Sequence, residues 1–161
     1  MSGNQAYFRT VRAGGNSILF LVAVGLIFAT TSGIRAQTLR GTAPKLSVTT
    51  AVAGSEPTPA VSTSSSIRYS GTSVISKITV KTVCANQKFD LSVVATGVTS
   101  GHGTAAPAVT LLNGMLAADF ITSIPKNASQ ITPTLQYTAA PQFSDGTGTD
   151  THTVTYTQVA Q

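Results

Sequence analysis

Carboxylate, imidazole and hydroxyl side chains crowd one short stretch of this chain, Ser144-Asp145-Gly146-Thr147-Gly148-Thr149-Asp150-Thr151-His152. Carboxylate and backbone oxygens arranged in this way can wrap a hard cation such as Ca2+. Asp145, Asp150 and His152 are therefore the candidate metal ligands. The pattern departs from an EF-hand loop, because the intermediate carboxylates and the closing Glu are missing. A turn explains the same residues more simply, with Gly146 and Gly148 supplying positive backbone angles and Asp145 bonding to its own backbone. The turn is the preferred reading; Ca2+ is the one cofactor the residues suggest, and none is required. The second histidine, His102, lies in the glycine loop Ser100-Gly101-His102-Gly103-Thr104. Two histidines can share a metal or an acid–base role only if the fold joins them, and the expectation is a solvated loop His102 and a strand-edge His152.

Catalytic constellations are missing. No serine stands in a Gly-x-Ser-x-Gly elbow, and the few acidic residues sit mostly at turn positions, which does not suit the paired carboxylates of a glycosidase. No catalytic residue is assigned and an enzyme is not expected. Cys84 is the single cysteine, so no disulfide can form within the chain; it reads as a small buried apolar residue rather than a reactive thiol. Asn127-Ala128-Ser129 matches the N-glycosylation acceptor pattern, which matters only in a eukaryotic secretory pathway.

The elements that must position these residues begin after an export signal. Arg9 and Arg12 precede the apolar run Ile18 to Ala29, and polar residues lead to Ile34-Arg35-Ala36, the three-part form of a secretory signal cleaved after Ala36. The run is 12 residues long, short of the ~20 that span a bilayer as a helix, so no stable membrane span is expected after cleavage. The formal charge of +5 falls to +2 once Arg9, Arg12 and Arg35 are removed. Without clustered Lys and Arg, a nucleic-acid partner is excluded. Hydrophobic residues make up 42% and charged residues 9%, and so low a charge in a Thr- and Ser-rich chain suits a secreted β-protein or a subunit that packs against neighbours.

Residues 37–65 read as an N-terminal extension with one candidate strand, Leu46 to Val52, followed by a Ser/Thr/Pro-rich linker that includes Ser62 to Ser66. Residues 66–161 read as the folded domain. Ile78, Val80, Thr82 and Cys84 alternate with Lys77, Thr79 and Lys81, and Phe89, Leu91, Val93 and Ala95 alternate with Asp90, Ser92 and Thr96. Period-two patterning of this kind predicts strands with one dry and one wet face, and Ala85 to Lys88 predicts a turn that joins them as an antiparallel hairpin. Further short strands are expected at Ile67 to Tyr69, Ala108 to Leu112, Phe120 to Ile124, Leu135 to Ala139 and Thr151 to Val159. The fold class is thus all-β, an immunoglobulin-like or pilin-like β-sandwich of about seven strands.

An export signal, a Thr/Ser-rich β-domain and the closing strand Val154-Thr155-Tyr156-Thr157 resemble bacterial exported pilin-type and spore coat protein U-type domains. The resemblance covers the strand rhythm and the last strand, and the paired cysteines of many such domains are absent here. Export, low charge and the lack of catalytic groups lead to the expectation of a secreted, periplasmic or cell-surface structural or adhesive protein. Self-association would run through Leu46, Val48 and Val52 as a strand given to a neighbour's sheet; the same segment reads equally well as the first strand of its own sandwich. The alternative is an extracellular module that binds carbohydrate or calcium through its loops, although with no Trp and few Tyr a stacking platform for sugars is thin.

Overall fold

The structure, a computed structural model, describes residues 18–24, 38–48, 56–145 and 148–161. Several of the strands alternate cleanly between buried and less buried side chains. In chain order they are β1 Ile18–Val24, β2 Thr38–Gly41, β3 Lys45–Val48, β4 Ala60–Arg68, β5 Ser76–Val83, β6 Asp90–Thr96, β7 Thr104–Ala105, β8 Val109–Thr110, β9 Ala118–Ile124, β10 Thr134–Ala140 and β11 Thr149–Ala160. A 3₁₀ turn, Phe143–Asp145, precedes β11. Among the described residues there is no α-helix, and the fold is all-β.

Two sheets face each other. One runs β3-β1-β11-β5-β9-β7 and the other β2-β4-β10-β6-β8. The core lies between them, with Ile78 and Val80 from β5, Phe120 and Ile121 from β9, and Val154 and Tyr156 from β11 packed against Leu91 and Val93 from β6 and Leu135 and Tyr137 from β10. All ten of these residues are fully buried. Phe120 and Ile121 are neighbours in sequence, yet both point inward. The register between β5 and β9 slips around Ile78, and Ser123 takes a positive φ of 53°, as expected where a β-bulge re-aims successive side chains. The Tyr137 and Tyr156 hydroxyls bond across the interior at 2.8 Å, joining one sheet to the other. Burial pushes both phenols far above their ordinary pKa.

Two expectations are corrected. β5 and β6 are not a hairpin: β5 pairs with β11 and β9, whereas β6 pairs with β10 and β8 in the opposite sheet. The connection between them, with Asn86 at φ 58°, crosses the end of the sandwich. Each strand buries one face, and those faces meet across the core rather than edge to edge. The Ser62–Ser66 run, expected as linker, lies inside β4 and pairs with β10, Ser65 opposite Leu135 and Ser62 opposite Tyr137. Serine carries no hydrophobic signal, and the hydrogen-bonded ladder places it in the sheet. The candidate strand at Leu46 is β3, paired with β1; its continuation to Val52 lies outside the described residues, as do Gly146 and Thr147.

Candidate functional site

β11 carries the site. Its inward face presents Asp150, His152, Val154, Tyr156 and Gln158 in alternation, all buried. β5 pairs with β11 from Thr153 onward, Val83 opposite Thr153 and Thr82 opposite Val154. One step further along this register, Cys84 falls opposite His152. The earlier half of β11 is held by β1, which runs parallel to it with Leu19 opposite Thr149, Phe20 opposite Asp150 and Val22 opposite His152.

This topology brings Cys84, distant in sequence, against Asp150 and His152 on β11. One ligand atom each from Cys84, Asp150 and His152 lies within 4.8 Å of the others. The three residues are 1%, 2% and 0% exposed. Asp150 also anchors the β5–β6 connection, because its Oδ2 accepts hydrogen bonds from the backbone N–H groups of Lys88 and Phe89, both at 2.8 Å. Asn113 Oδ1 accepts the Cys84 N–H at 2.9 Å, and Gln87 accepts the Asn113 N–H while donating to the carbonyls of Phe89 and Leu111. An open hollow of about 500 Å³ lined by Asn86, Gln87, Lys88, Phe89, Leu112 and Asn113 lies over this loop.

One ring nitrogen of His152 meets a hydroxyl. Nδ1 is 3.3 Å from the Thr82 hydroxyl, which itself lies 3.4 Å from the Thr153 carbonyl. A hydroxyl has one proton. Given to Thr153, that proton leaves the oxygen to accept Nδ1–H; given to Nδ1, it puts the ring hydrogen on Nε2; in either tautomer Nε2 is buried with no hydrogen-bond partner. Burial lowers the His152 pKa, with the Asp150 charge opposing. Burial raises the Cys84 pKa, Asp150 adds to the rise, and a backbone hydrogen bond at Thr151 works against it. Both groups are thus neutral near pH 7. A cysteine nucleophile needs the opposite arrangement, a thiol lowered toward thiolate beside a cationic imidazole, so this environment does not activate Cys84.

The sequence-derived candidates separate in space. Asp150 and His152 meet in the cluster. Asp145 is engaged in its own turn, where its carboxylate accepts from the Gln142 N–H at 2.7 Å and the Ser144 hydroxyl at 3.4 Å. His102 is held elsewhere, with Nε2 2.9 Å from Ser129 Oγ and Nδ1 3.0 Å from Thr99 Oγ1 and 3.2 Å from the Ser100 carbonyl. No carboxylate stands among these partners, and the Tyr69 hydroxyl bonds to the His102 carbonyl at 2.8 Å, so the pair fastens the 97–103 loop. Cys84 is the member of the cluster that sequence reasoning passed over. Its inward phase on the β5 pattern was visible; its place opposite His152 depends on the pairing of β5 with β11.

No protein-family model matches the chain, and no curated protein matches it in sequence. No helix among the described residues is long and apolar enough to cross a membrane.

Proposed function

We propose that this chain is an exported, non-catalytic structural or adhesive subunit that acts outside the cytoplasm and assembles by strand exchange. The observation that carries this reading is the position of β1. Ile18–Val24 belongs to the apolar run of the export signal, and it lies between β3 and β11 in the sheet. Cleavage after Ala36 removes it. β11 then has no ladder partner from Thr149 to His152, since β5 begins its pairing at Thr153. β3 loses its partner in the sheet as well. A vacant strand position bordered by unpaired N–H and C=O groups is a template for an added strand. The segment around Leu46 and Val48 of a second copy is the donor, leaving its own domain to fill the gap. A low charge and threonines on the outer face of β11, at Thr151 and Thr153, are compatible with such close approach.

The test is to produce the chain in an exporting bacterial host, sequence the N-terminus of the exported product, and measure its mass by light scattering with negative-stain imaging. The expected result is a product that begins at Gln37 and forms polymers, together with a Val48→Asp variant that stays folded but monomeric. An exported monomer that keeps residues 18–24, or polymers unchanged by Val48→Asp, would overturn the proposal.

A further inference from the structure

We propose that Cys84, Asp150 and His152 form a binding site for a single zinc-class divalent cation. Among the described residues this is where a soft donor, an imidazole and a carboxylate converge. A thiolate, an imidazole nitrogen and a carboxylate oxygen are the donors that Zn2+ takes, with bonds of about 2.0–2.3 Å. Tetrahedral placement at those lengths sets the ligand atoms about 3.4–3.7 Å apart, so atoms already within 4.8 Å close on the ion by about an ångström. The mixture of ligands selects against Ca2+, which takes only oxygen, and in favour of borderline metals.

A second observation points the same way. His152 Nε2 is fully buried and lacks a hydrogen-bond partner, whereas buried polar atoms are ordinarily satisfied. The Thr82 hydroxyl at Nδ1 is what an imidazole ligand needs behind it, because it fixes the ring and leaves Nε2 free to coordinate. Asp150 is similarly braced from behind by the Lys88 and Phe89 amides. The three protein ligands leave one coordination position, which a water fills. Binding is charge-balanced chemistry: the Cys84 S–H bond breaks, its proton goes to solvent, its electron pair forms the metal–sulfur bond, and no oxidation state changes. The site rests on the same end of β11 that β1 borders, but it does not depend on cleavage or assembly.

The experiment uses the full chain, reduced and stripped with chelator, titrated with Co2+ as a spectroscopic stand-in and with Zn2+ by calorimetry and thermal melting. The expected result is one Co2+ per chain with a thiolate-to-metal charge-transfer band and strong tetrahedral ligand-field bands. One proton is released per metal bound. Zn2+ in hundredfold excess over its dissociation constant raises the melting temperature by about 5–10 °C, and the same concentration of Ca2+ leaves it unmoved. Cys84→Ala abolishes the charge-transfer band, and Thr82→Val, which keeps the core shape while removing the hydroxyl behind Nδ1, weakens Zn2+ binding about tenfold. If the wild-type chain gives only weak octahedral cobalt bands without thiolate character, or if Zn2+ leaves the melting temperature unchanged, the proposal fails. It fails equally if the Cys84→Ala chain binds as tightly as wild type. The wild-type spectrum decides the matter even where a variant does not fold.

Discussion

His152 shows how burial turns a single side chain into a pH-dependent element. Its ordinary pKa is about 6.5, and burial holds it lower in the folded chain against the opposing Asp150 charge. Well above about 6.5 the ring is neutral in both states and contributes no slope. Below that value the unfolded chain takes up a proton that the folded chain does not, so stability falls as pH falls through the window between the unfolded and folded values. The charged and titratable groups around it are Asp150 and Cys84. The melting temperature of the metal-free chain is therefore expected to drop on acidification from about pH 7 to about pH 5. His152→Gln should flatten that slope, and an identical slope in the variant would show that another group is responsible. Tyr137 offers a second test at this scale. Tyr137→Phe removes one hydroxyl from the bond that joins the two sheets through Tyr156, and its expected cost in urea unfolding is about 1 kcal/mol. Tyr137 and Tyr156 fall in strands that the sequence marks, Leu135 to Ala139 and Thr151 to Val159; that their hydroxyls meet depends on which strands face each other.

The connection from β5 to β6 is the element on which the candidate site depends. It leaves one sheet at Val83 and enters the other at Asp90, and Asp150 holds it by two backbone amides. Asn86 stands at a positive φ of 58°, a conformation that Asn tolerates and β-branched residues resist. Asn86→Val is expected to destabilise the chain by about 1–2 kcal/mol, while Asn86→Gly should be close to neutral; a Val variant that melts with wild type would show that the loop is free to rearrange. Local patterning marked both strands and the turn residues between them. It did not distinguish a hairpin from a crossing between sheets, because period-two alternation reports which face of a strand is dry and says nothing about its hydrogen-bonding partner. β4 makes the complementary point. Its serines hide a strand that is held by ladder bonds to β10 and β2; of its apolar residues Ile67 is fully buried while Val61 is exposed.

At the scale of the whole molecule, the six-strand sheet is completed by an N-terminal segment that the export reading removes. A chain that starts at Gln37 should show fast amide hydrogen exchange at Thr149 to His152, while Val154 to Val159 stay protected by β5. Equal protection across β11 in a monomeric chain would mean that another strand has replaced β1 within the same molecule. Truncation tests should begin no later than Glu56, since β4 starts at Ala60 and is flanked by β2 and β10 in the second sheet.

What the sequence by itself determined is the class of the fold and the phase of its strands: alternation at Ile78 to Cys84, Phe89 to Ala95 and His152 to Tyr156 follows from local chemistry, since each residue's partition between core and water depends on its own side chain and its immediate neighbours. It also placed Asp150 and His152 on one short stretch as candidate ligands. Which strands pair, which sheet each joins, and that Cys84 comes to lie against Asp150 and His152 were decided only by the tertiary structure. Those contacts join residues that are not neighbours in the chain, Cys84 and His152 among them, and their energy exists only after the chain has closed.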